Sequence, residues 1–183
     1  MPRLPTPRFD ERKAAQAAAR FLESSGGTMD RLKFVKLMYL MDRKSLLTRG
    51  TPVTNDVYFS MPHGPVPSNV YNLVRHGAGN FWPQYIESPN NRTVVLARHP
   101  GHDTLSESEL TIIDDLWDKY KDWHGVRLRN FTHQLPEFQD PGAGRIAIDI
   151  AEILAAEKSP AEAIAIERDL QASRLVKALF AGA

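Results

Sequence analysis

The sequence predicts a helix-rich α+β fold: one domain with a small antiparallel sheet of about three strands and a central buried helix. Three observations carry that expectation. Residues Met29 to Thr48 are apolar on most of their girth when wound at about 100° per residue, the mark of a helix packed on several sides. Helix start signals of the Ser-x-x-Glu type recur at Ser106–Glu109 and Ser159–Glu162. Two β-prone runs, Gln84 to Glu87 and Thr93 to Arg98, flank the turn-forming Ser88-Pro89-Asn90-Asn91.

Residues 1–8 hold three prolines and read as a loose lead-in. A first helix is expected from Phe9 to Ser24, where five alanines between 14 and 19 have high helix propensity and Phe21 and Leu22 supply anchors; Gly26-Gly27 stops it. Thr28 is the expected N-cap of the second helix, and Gly50 ends it. Leu32, Val35, Tyr39 and Leu46 share one side, and Phe34, Leu37, Met38 and Met41 another; Lys33, Lys36, Arg43 and Lys44 are left as a narrow polar stripe, read as its one solvated edge. Val57 to Ser60 has strand character and is expected to join the two β-prone runs in one sheet. In His63-Gly64-Pro65-Val66-Pro67 no helix can continue, and Pro67 is placed to open a short helix holding Val70, Tyr71 and Val74. The Ser106 helix carries Leu110, Ile113, Leu116, Trp117 and Tyr120 on one face and Asp114, Asp118 and Asp122 on another; a short helix with Leu128, Phe131 and His133 follows. Pro141-Gly142-Ala143-Gly144 is the clearest linker. After it, Ile146, Ile150, Ile153 and Leu154 form an apolar stripe, and a terminal helix with Ile164, Leu175, Leu179 and Phe180 closes the chain. Domain boundaries are accordingly expected at 9–140 for the main body and 141–183 for a C-terminal helical extension packed on it.

Composition narrows function. Of 183 residues, 42% are hydrophobic and 25% charged, an ordinary globular balance, and the absence of cysteine excludes disulfide and thiolate chemistry. With no apolar run of membrane-spanning length and no secretory pattern at the start, a cytoplasmic protein is expected. Net charge is +1, yet residues 1–102 carry +7 and residues 103–183 carry −6, an asymmetry that suits either a polar partner surface or mutual neutralisation on folding.

Signatures of catalysis are thin. Phosphate-binding Gly loops, His-Glu-x-x-His and Gly-x-Ser-x-Gly are all missing from the sequence. His99-Pro100-Gly101-His102-Asp103 clusters three possible metal ligands, but Pro-Gly between the histidines marks a turn, and an ordinary polar loop is the plainer reading. Asp114, Asp118 and Asp122 step along one helix edge as a solvated acidic face. A winged helix-turn-helix is loosely suggested by element order. Against it, the second helix is apolar where a recognition helix should be polar, and a charge of +1 attracts little phosphate. His63 and His133 suit fixing a turn or a helix end at least as well as acting as a base.

The order of motifs resembles the SocA-like, Panacea-domain antitoxins. Lys33-Phe34-Val35-Lys36-Leu37-Met38-Tyr39-Leu40 is similar to that family's KLxKLLYF helix, with Asp42-Arg43 where Ala-Gln is usual. Tyr58-Phe59-Ser60-Met61-Pro62-His63-Gly64-Pro65-Val66 resembles its aromatic run and Tyr-Gly-Pro-Val turn, with His63 in place of the aromatic, and Val70-Tyr71 fits the Val-Tyr that follows. Leu105-Ser106 with Leu116 and Tyr120, then Leu128, Thr132-His133 and Pro136, resemble its last two segments. The likeness spans roughly residues 10–140. It implies a non-enzymatic antitoxin of a bacterial or phage toxin–antitoxin system, needing no cofactor or metal and neutralising a cognate protein toxin by direct binding. In some members the domain presents the toxin to a protease, so an adaptor role with an ATP-dependent protease is the related alternative; a winged-helix DNA binder and a metal-dependent hydrolase are the unrelated ones. The partner-binding residues implied are Tyr58, Phe59, His63, Gly64, Pro65, Val66, Tyr71, Thr132 and His133, on the ground that a rigid Gly-Pro turn with aromatic neighbours makes a good anchor.

Overall fold

The computed structural model describes residues 8–180. Most of the proline-rich lead-in, residues 181–183 and the side chains of Lys177 and Phe180 lie outside the described part.

Helix α1 (Glu11–Ser24) begins where the Asp10 carboxylate accepts from the Lys13 N–H at 2.9 Å. Its alanines 14, 15, 17, 18 and 19 are all fully buried, and their small side chains let it lie close against its neighbours. Strand β1 (Thr28–Asp30) runs straight into α2 (Arg31–Arg49), whose N-cap is Asp30 rather than Thr28: the Asp30 carboxylate accepts from the Lys33 N–H at 2.9 Å. Thr28 is instead engaged in a strand, paired with Val95.

Helix α2 is the hub. Thirteen of its nineteen residues are buried, which leaves no face free for solvent along its middle turns. It packs on α4 (Glu107–Tyr120), α5 (Gly125–Thr132), α3 (Ser68–His76), β3 (Gly64–Pro67) and α6 (Ile150–Ala155). Each Leu, Phe or Met that it buries contributes about 1.5–3 kcal/mol of apolar transfer, so the helix is held by its surroundings more than by its own propensity. Two predicted polar-edge residues break the expected pattern. Lys36 is 1% exposed and Lys33 8%, because each aliphatic stem lies in the core and each amine ends on a backbone carbonyl. Lys44 is exposed and Arg43 half-buried.

The fold class is helix-rich α+β, and the described residues form two three-stranded antiparallel sheets rather than one. The predicted hairpin forms as β4 (Ile86–Glu87) and β5 (Thr93–Leu96), and β1 completes that sheet in the order β1-β5-β4. Strand β2 (Tyr58–Met61) pairs elsewhere, with β3 through the Pro62–His63 turn and with β6 (Ile146–Ile148). The period-2 pattern marked β2 as a strand but held no information on its partners. Pro65 and Pro67 are tolerated because β3 is an edge strand. The stripe after Gly144 begins as β6, with α6 starting only at Ile150.

Helix α3 starts one residue past Pro67, and its N-terminus is capped from a distance. The buried Asp56 carboxylate accepts from the N–H groups of Asn69 at 2.8 Å and Val70 at 3.0 Å. The capping boxes of α4 and of α7 (Pro160–Phe180) form as expected. Gly125, expected to break the preceding helix, opens α5; a Cβ there would collide with the Asp30 carboxylate. Among the described residues no helix is long and apolar enough to cross a membrane.

Candidate functional site

Three elements meet over the N-terminal third of α2: the β2–β3 turn, the C-terminal end of α5, and the loop from Asn91 to Arg92 ahead of β5. The left-handed Gly64, φ +92°, is what lets the turn lie flat here. A Cβ on it would stand 2.9 Å from Thr132 Oγ1, 3.0 Å from His133 Cδ2 and 3.1 Å from Lys36 Nζ. Just beyond, the Lys36 ammonium donates to the Pro65 carbonyl at 2.8 Å. The structure thus gathers Gly64, Pro65, Thr132 and His133, which lie up to 69 residues apart in the chain, about one buried lysine.

On the solvent side of this knot is a pocket of about 290 Å³. Val35, Met61, Pro62, Val66 and Tyr71 give it apolar walls, while Lys36, Arg31, Arg92, Arg129 and His63 supply positive or protonatable groups. One carboxylate, Asp30, also borders it, with an oxygen already committed to the α2 N-terminus.

Electrostatics here are unusual for a core. Burial lowers the Lys36 pKa from 10.5 to about 7, and the nearby Arg129 guanidinium pushes in the same direction. No described carboxylate lies within ion-pair reach of its amine. His133 is also held below its ordinary value by burial and then by Lys36 and Arg129, with Asp140 opposing. Its ring stacks on Phe138 at 4.4 Å, and its Nε2 is buried without a hydrogen-bond partner among the described residues. Thr132 is fully buried and donates back to the Arg129 carbonyl at 2.8 Å, which closes the end of α5.

The remaining predicted site residues divide. His63, Val66 and Tyr71 line the pocket, with His63 exposed and Tyr71 half-buried. Phe59 is paired with Val66 in register but lies under the Arg145 guanidinium, 4.4 Å from the ring centroid, outside the lining. Tyr58 faces the core: it is 3% exposed, donates to Asp42 at 3.0 Å and packs edge-on against Tyr39. Sequence reasoning did not single out Lys36, Arg31, Arg92 or Arg129. The available signal was the narrow stripe of Lys33, Lys36, Arg43 and Lys44 on a helix otherwise apolar on most of its girth, and of the four pocket cations it touched Lys36 alone.

Other candidate chemistry resolves differently. Asp103 turns away from the histidines to Arg12 at 2.9 Å and Gln16 at 2.6 Å. His99 and His102 converge instead with Glu23, His99 Nε2 lying 2.8 Å from the Glu23 carboxylate; all three are exposed, and they are the one such group among the described residues. The acidic edge of α4 is split, since Asp114 pairs with Arg20 at 2.8 Å and Asp118 with Lys121 at 3.2 Å. With α2 buried all round through its middle turns, it offers no continuous polar face to a DNA groove.

A protein-family model described as antitoxin SocA-like, Panacea domain, matches residues 34–138, more than half of the chain. That match spans most of α2, both arms of the β2–β3 turn, α3, α4 and α5. No curated protein and no solved structure matches.

Proposed function

The chain belongs to the antitoxin SocA-like, Panacea-domain family, and from that premise we propose that it neutralises a protein toxin by direct binding at the pocket over Lys36. Membership supports an antitoxin role and suggests a non-enzymatic one. The observation that carries the reading is the pocket's construction: a rigid turn, the Tyr71 wall, Lys36 held in the core, and three solvent-reaching arginines that pair with no carboxylate among the described residues. A binding surface needs these properties. It gains nothing from a nucleophile and base in hydrogen-bond reach, and no such pair lines this pocket among the described residues. Tyr71 and Arg129 are of the residue types that dominate binding energy at protein interfaces.

Co-expression tests the proposal. Growth arrest caused by the toxin gene adjoining this one should be relieved by the wild-type chain, and the two proteins should co-purify. A neighbouring gene that arrests growth with no relief from this chain, and no complex, would remove the reading.

A further inference from the structure

The pocket's chemistry specifies more about its occupant than that it is a protein. We propose that it seats a single carboxylate side chain of the partner, an aspartate or glutamate with an apolar residue beside it. This deepens the toxin-binding reading and rests on it.

Charge is the first ground. Lys36, Arg31, Arg92 and Arg129 border the pocket, and among the described residues none of the four is ion-paired. Arginines without a carboxylate occur elsewhere too, Arg75, Arg98, Arg127 and Arg145 among the described residues, so what marks the pocket is four such cations gathered beside a single acid. Arg129 spends two of its donors on the neutral Asn130 side chain, at 3.1 and 2.8 Å, a weak partner for a guanidinium that an incoming carboxylate can displace. Asp30, the one acid present, is held by the helix it caps.

Burial is the second ground. The Lys36 amine sits at 1% exposure with one carbonyl acceptor. A buried charge left without a counter-charge is costly, and an arriving anion is the group that relieves it.

Size is the third. At about 290 Å³ the cavity falls just below the range of roughly 300–1,000 Å³ typical of small-molecule sites, and it suits one or two side chains. Its walls, Val35, Met61, Pro62, Val66 and Tyr71, are wrong for a fully hydrated phosphate but suit the stem of an acidic side chain and an apolar neighbour.

The test uses the full chain carrying isotope-labelled lysine, titrated with N-acetyl-leucyl-glutamyl amide while the Lys36 amine signal is followed by NMR. The expected result is saturable binding in the millimolar range, a rise in the Lys36 pKa, and roughly tenfold weaker binding of the glutaminyl analogue. The double variant Arg31→Gln/Arg129→Gln, which alters two partly exposed side chains and should fold, loses the response. Equal binding of glutamyl and glutaminyl peptides, or binding of neither, overturns the inference. Inorganic phosphate or a short DNA duplex binding more tightly than the glutamyl peptide also overturns it, in favour of a phosphate ligand. Co-expression separates this failure from that of the antitoxin reading. If the wild type gives no relief, the antitoxin reading falls whatever the peptide does. If the double variant loses the peptide yet relieves toxicity as well as the wild type, the carboxylate seat falls and the antitoxin reading stands.

Discussion

Replacing Lys36 by methionine should make the protein more stable and a poorer binder, and the stability gain should depend on pH in a defined way. The displacement of its pKa from 10.5 to about 7 corresponds to roughly 5 kcal/mol of charge-burial cost at about 1.4 kcal/mol per pH unit, an upper bound. The sign follows from proton counting. Below about pH 7 the lysine is charged in both states and only the folded state bears the cost. From about 7 to 10.5 the unfolded chain holds more protons than the folded one, so wild-type stability rises with pH and the cost disappears. Methionine removes the cost but leaves the Pro65 carbonyl without its donor, a loss of about 1–3 kcal/mol. The expected net gain at pH 6 is therefore about 2–4 kcal/mol, or roughly 5–15 °C in Tm for a chain of this size. By pH 10 the gain should be gone. Urea unfolding of both proteins at pH 6, 8 and 10 measures it. A variant no more stable than wild type at pH 6, with the same rise between pH 7 and 10, would refute the claim that a charged amine is buried without a counter-ion. If stability rises while toxin relief falls, the lysine is kept for binding at a cost to the fold.

Three further outcomes follow from the same geometry. Glu137→Ala should destabilise by about 2–4 kcal/mol in thermal or chemical unfolding, since it leaves the half-buried Arg43 guanidinium, 2.7 Å away, with only the exposed Glu157 at 3.0 Å and frees the Tyr39 hydroxyl that donates to Glu137 at 2.8 Å. Gly64→Ala should cost about 2–4 kcal/mol, from the left-handed backbone and from contact with Thr132, His133 and Lys36; by contrast, Gly142→Ala, also at positive φ but with nothing near its Cβ, should cost only the backbone part. Asp42, pushed up from 3.8 to about 6 by burial against the opposing Thr54 and Tyr58 hydrogen bonds, binds a proton more readily folded than unfolded, so its contribution falls by up to about 3 kcal/mol as pH rises from about 4 to 6; Asp42→Asn should flatten that slope in pH-dependent unfolding.

Periodicity located the hub helix, both capping boxes and the β4–β5 hairpin, because each is written in neighbouring residues. What it missed is long-range. Val57 to Ser60 reads as a strand from its own composition, but its partners Gly64–Pro67 and Ile146–Ile148 are fixed by tertiary packing. Lys36 reads as solvated because helical spacing cannot reveal a carbonyl waiting 29 residues onward. Asp42-Arg43, the pair at which the sequence departs from the usual family motif, carries two buried networks. Asp42 accepts from the Val53 and Thr54 N–H groups, each at 2.9 Å, and Arg43 bridges Glu137 and Glu157. Of the predicted partner-binding residues, the turn and the Thr132-His133 pair converge with Lys36, whereas Tyr58 is spent on Asp42 inside the core; alternation along β2 separates Tyr58 from Met61, and only the latter faces the pocket.

Hydrogen exchange on the purified chain with and without its co-purified toxin tests most directly whether the pocket over Lys36 is where the partner sits. Slowed exchange should concentrate in residues 31–36, 61–71, 91–92 and 129–133. Protection confined to the exposed apolar edge of α7, at Ile164, Leu175 and Leu179, with those four segments unchanged, would contradict it.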